Sequence, residues 1–79
     1  MAIKFVVCLE KNDLGDFSTE DISLGRLYEL VDEDAENGMV RIIDESGEDY
    51  LYPSSWFELV AIRDATAMRL HDALTKLAA

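Results

Sequence analysis

"MVRIIDESGEDYLYPSSWFELV", residues 39–60, alternates short strand-like runs with turn-like ones and holds four aromatic rings. Val40, Ile42 and Ile43 are β-branched and fit a pleated surface. "ESGE" (45–48) has the composition of a tight turn. "DYLY" (49–52) is a further short run, and period-two alternation sends Tyr50 and Tyr52 to one face and Leu51 to the other. Pro53 has no N–H to donate and ends that ladder. "SSWFE" suits one helical turn, and "LVAI" (59–62) reads as a last strand.

Working upstream, Asn37-Gly38 is the strongest hairpin signal in the chain. It joins "MVRIID" (39–44) to "RLYELVD" (26–32), which has strand character. "IKFVVCL" (3–9) is an apolar run of strand rather than helix length. Between them "EKNDLGDFSTEDISLG" (10–25) is a polar loop anchored by Leu14, Phe17 and Ile22. Five short strands separated by turns in about 60 residues predict a mainly β fold, a small five-stranded antiparallel barrel.

Downstream the pattern changes. "DATAMRLHDALTKLAA" (64–79) has no Gly or Pro, and Ala67, Leu70, Leu74, Leu77 and Ala78 recur at helical steps. Asp64 is placed as the N-cap, and Lys76 lies in the last turn, where the dipole favours a cation. So short a helix needs a surface to pack on. The expected organisation is a barrel over residues 1–62 and an amphipathic helix over 63–79, packed on the barrel or on a second copy as a homodimer.

Seventy-nine residues and 8.9 kDa make one domain. Folding buries about 63% of the surface of such a chain, enough for a modest core. Cys8 is the only cysteine, so an internal disulfide is excluded, and its apolar neighbours make it a small buried hydrophobe. No signal-type segment opens the chain and no apolar run reaches membrane-spanning length, so the expected location is cytoplasmic.

The net charge is −10. Residues 10–49 carry fourteen acids against three bases, Lys11, Arg26 and Arg41, a net charge of −11. Such a surface repels nucleic-acid phosphates and favours basic partners. "DEDAENG" (32–38) lacks the glycine and the bidentate glutamate an EF-hand loop requires at its sixth and twelfth positions. His71, the only histidine, has no nucleophile at a linked spacing. One His and one Cys do not make a zinc site, and the single glycines make no phosphate loop. The sequence therefore assigns no catalytic, cofactor or metal residues.

The block from Ile22 to Val60 resembles the Src-homology-3 barrel family: "ISLGRLYELV", "MVRIIDESG" and "LYPSSWFELV" follow the family's order and spacing. The chain is also similar to small acidic prokaryotic proteins that carry a segment like residues 41–53, which adds no activity. The Src-homology-3 resemblance implies a groove for a peptide partner, with Pro53 at the motif proline, Trp56 at the motif tyrosine and Met39 at the first groove tryptophan. The two groove tyrosines fall near Cys8 and Glu10, neither of them aromatic. Asp13, Asp16, Glu20 and Asp21 supply the family's acidic loop. Trp56 is expected to stay partly exposed, with Phe57 turned into the core. The functional expectation is a non-catalytic protein-interaction module contacting its partner through Trp56, Pro53 and Met39. The alternative is an acidic regulator of a basic protein surface, of nucleic-acid-mimic type.

Overall fold

The computed structural model describes residues 3–11 and 20–78. Five strands and one helix follow in chain order: β1 (Lys4–Cys8), β2 (Leu27–Asp34), β3 (Met39–Ile43), β4 (Asp49–Pro53), β5 (Phe57–Val60) and α1 (Asp64–Ala78). They form one antiparallel sheet of order β4-β3-β2-β1-β5. That order is compatible with a small Src-homology-3-like fold. Closure is a different matter. The sheet is open, and among the described residues no ladder joins β4 to β5. The chain turns between them through a single 3-10 turn, Ser54–Trp56, directly after Pro53, which has no N–H to extend the ladder. Leaving that turn, β5 pairs with β1.

The turns show why the strands stop where they do. Gly38 lies at φ 64°, ψ 34°, in the left-handed region where a Cβ is disfavoured, and its N–H donates to the Ala35 carbonyl. The β3–β4 connection is tied by Gly47 N–H to Asp44 O and Asp44 N–H to Glu48 O, both 3.0 Å. A bulge at Val31, between the Leu30–Ile42 and Asp32–Arg41 pairs, adds one residue to β2 and sharpens the local twist.

The register divides the sheet into two faces. One face carries Val6, Cys8, Tyr28, Val40, Ile42 and Tyr52, which form the main core with Ile22 and Trp56. Phe5 points the other way, beside its partners Glu29 and Val60. It is wholly buried, as is Ala67 on α1, and neither belongs to the main core cluster. His71 of α1 reaches Glu29 on that second face. The helix therefore lies on the outer face of β1 and β2 and makes a second layer. Its first stripe positions, Ala67, Leu70 and Leu74, are buried or half-buried, whereas Met68 is 59% exposed.

Arg63, not Asp64, is the residue whose carbonyl accepts the first helical bond, from Ala67 N–H at 2.8 Å. Asp64 is the first helical residue, where a carboxylate still suits the dipole. No helix among the described residues is long and apolar enough to cross a membrane.

Candidate functional site

The aromatic corner is where sequence and structure diverge most. Trp56 is 2% exposed, and its ring lies against Tyr52 with centroids 6.4 Å apart. The expectation of a partly exposed tryptophan is therefore corrected. A 3-10 turn rotates the chain by about 120° per residue, so the alternation of β4 does not carry through it. The third residue of the turn swings back under the sheet. The same turn fixes the corner to β1, because the Trp56 carbonyl accepts from the N–H groups of Leu9 (2.8 Å) and Glu10 (3.3 Å).

Phe57 is half-buried, with its ring edge-on to Tyr28 (6.3 Å, 87°) and at 62° to Tyr52 (6.1 Å). Met39 and Pro53 stand directly opposite each other across β3 and β4, both half-buried. The three residues expected to share a contact are thus split: Met39 and Pro53 reach the surface, and Trp56 does not.

Asp13 and Asp16 lie outside the described residues. Glu20 is exposed, and Asp21 is half-buried with its carbonyl accepting from Glu45 N–H at 2.8 Å. The other carboxylates carry more of the surface. Asp32, Glu33, Glu36, Glu48 and Asp49 are all exposed. The three bases of the same segment are already engaged. Arg26 faces Glu45 at 3.4 Å, Arg41 faces Asp49 at 3.5 Å, and Lys11 Nζ donates to the Ile22 carbonyl at 2.8 Å. The exposed acids of this segment outnumber its three bases.

Two polar clusters carry no mark in the sequence. Asp44 is the one buried charged residue among those described. Its Oδ2 accepts from the Tyr52 hydroxyl at 2.8 Å, and its Oδ1 accepts from Ser46 N–H (2.9 Å) and the Ser46 hydroxyl. Burial and this carboxylate push the Tyr52 hydroxyl far above its ordinary pKa. Tyr28 donates to Glu45 Oε2 at 2.6 Å and accepts from Ser23 N–H at 2.5 Å. Burial, with the Glu45 hydrogen bond, pushes the Tyr28 phenol up to about 12. The Tyr28 bond holds Glu45 below the usual carboxylate range, helped by Ser23 and Arg26. The Tyr28–Glu45 bond spans 17 positions and leaves no local motif, whereas the Asp44–Ser46 bonds are a local turn motif whose burial under Tyr52 only the fold shows.

Between α1 and the sheet runs a groove of about 340 Å³, lined by Leu27, Glu29 and Ile43 of the sheet, Leu74 of α1, and Arg26 and Glu45. At its edge the His71 ring meets Glu29 Oε1, and that bond raises the imidazole above its usual pKa. Cys8 is wholly buried and its thiol is pushed up by burial, which makes it a poor nucleophile. Among the described residues no group of His, Cys, Asp and Glu is arranged to hold a metal ion. Compared with protein-family models, curated proteins and solved structures, the chain matches none of them.

Proposed function

We propose that this protein is a non-catalytic interaction module of Src-homology-3-like type that binds a basic surface on a protein partner. The observation that carries this reading is the surplus of exposed carboxylates on a segment with three bases, two of them already in ion pairs and the third on a backbone carbonyl. With Trp56 buried, the aromatic corner offers no indole to a polyproline ligand, and charge becomes the stronger basis for recognition. Imitation of nucleic acid is one form this takes, since spaced carboxylates present a field that a phosphate-binding surface is built to meet.

The non-catalytic reading is supported by how the reactive side chains are used. The His71 ring is engaged by Glu29, and the Thr75 hydroxyl donates to the His71 carbonyl at 2.7 Å instead of facing the ring. No nucleophile stands beside a general base there. Binding to immobilised polyarginine, measured at low and at physiological ionic strength, tests the reading. Affinity should fall steeply as salt rises, because exposed charges more than about 8 Å apart are screened at physiological ionic strength. Binding that ignores salt would count against a charge-driven partner. A turnover lost on His71→Gln would count against a non-catalytic role.

A further inference from the structure

The groove under α1 has a composition that open acidic surface lacks. Leu27, Ile43 and Leu74 give it an aliphatic lining, to which Tyr28 adds. Carboxylates stand on two sides: Glu29 from β2, and Asp44 and Glu45 from the β3–β4 turn. The cation in its lining is Arg26, which faces Glu45 at 3.4 Å and lies over the Tyr28 ring at 5.9 Å. With those three carboxylates against Arg26, the lining is net negative, and an anionic ligand is disfavoured.

The carboxylates are not equally available. Asp44 uses both oxygens on Tyr52 and Ser46 and serves the fold. Glu45 gives Oε2 to Tyr28 and Ser23, and its Oε1 faces an exposed arginine at 3.4 Å, a weak pairing. Glu29 gives Oε1 to His71, and among the described residues its Oε2 accepts no hydrogen bond. Glu29 Oε2 is therefore the position open to a new donor, and Glu45 Oε1, with two lone pairs, can accept a second donor beside Arg26. An aliphatic lining with carboxylate acceptors beside it suits a long stem that ends in a cation.

The geometry points to this groove as the receptor for a basic side chain of the partner, arginine foremost, its methylenes on Leu27, Ile43 and Leu74 and its guanidinium between Glu29 and Glu45. This rests on the reading that the partner is basic and adds where that partner is read. Arginine is preferred to lysine because its planar fork reaches two carboxylates at once and is less strongly hydrated. The volume, about 340 Å³, lies at the low end of the range for ligand sites and suits one or two side chains rather than a large ligand.

The test uses a short acetylated peptide of alternating arginine and glycine, with a citrulline peptide as its neutral isostere, followed by backbone amide shifts of the full chain. The arginine peptide should move Leu27, Ile43, Leu74 and Thr75, and the citrulline peptide should not. Thr75→Trp, at an exposed position that lines the groove, fills it with an indole while Trp and Thr differ little in helix propensity. It should weaken binding by about tenfold or more, whereas Asp32→Asn with Glu33→Gln at the distant hairpin should change it by about threefold or less. If the arginine peptide binds, but Thr75→Trp leaves its affinity unchanged and the shifts gather on residues 32–36, the groove assignment is overturned and the basic partner survives. Equal binding of the citrulline peptide also overturns it, since the groove would then be a neutral apolar slot. Absence of arginine-peptide binding at low ionic strength removes both readings.

Discussion

Truncating Trp56 to alanine separates a buried corner from an exposed one by a wide margin. The ring is 2% exposed and packs on Tyr52. A buried tryptophan removes about 200 Å² from water, which at about 25 cal/mol/Å² is about 5 kcal/mol. An extended reference chain overstates that area, and measured Trp→Ala losses run about 3–5 kcal/mol. A domain of this size has a total stability of about 4–12 kcal/mol. Trp56→Ala should therefore consume a large share of it and lower the melting temperature by about 12 °C or more. The assay is urea and thermal unfolding followed by far-ultraviolet circular dichroism, because the substitution removes the only tryptophan. The wild-type indole should also emit at the short wavelengths of an apolar site and shift to the red on unfolding. A loss below about 0.5 kcal/mol, the range of substitutions at open surface, would refute the placement of the ring in the core.

Tyr52→Phe removes the hydroxyl that donates to Asp44 Oδ2 and leaves a buried carboxylate oxygen short of a partner, a loss of about 1–3 kcal/mol in chemical denaturation. Gly38→Ala should cost about 1 kcal/mol and Gly38→Asn less, because a Cβ there meets open space and the penalty is the left-handed backbone alone. The Glu29 bond raises the folded-state pKa of His71 above its ordinary 6.5, with Asp72 acting in the same direction. Its contribution is thus fully present below about pH 6.5 and fades as pH rises through the raised value. The stability gap between wild type and His71→Gln should narrow over that rise, and a gap independent of pH would show that the pair does not hold the helix.

Most of the fold was legible because the turns carry their own chemistry. Asn37-Gly38 places the β2–β3 hairpin, and Gly38 does occupy the left-handed position such a turn needs. The helix was expected over 63–79 and runs Asp64–Ala78. Strand limits moved by one or two residues, most at the last strand, expected from Leu59 and found from Phe57. The burial of Trp56 was not legible, because alternation is a property of extended backbone and ends where the 3-10 turn begins. Tyr50 shows a second limit of the same rule. It shares the core-side parity of Tyr52 but stands 49% exposed near the start of β4, with its hydroxyl on Glu48. The groove was beyond reach, since it exists only once α1 is laid on β2. The Glu29–His71 contact that marks it spans 42 positions.

The pairing of β1 with β5 has a consequence in time. Phe5 lies opposite Val60 in the ladder, so the first strand keeps one side unsatisfied until nearly the whole sheet has been made. Contacts this distant in sequence slow folding, because the chain must close a long loop before the pairing rewards it. During synthesis the amino-terminal strand waits as an open template while the hairpins downstream assemble. A release of the chain before residue 60 would leave that template permanently exposed, and aggregation, not partial function, would be the fate of the fragment.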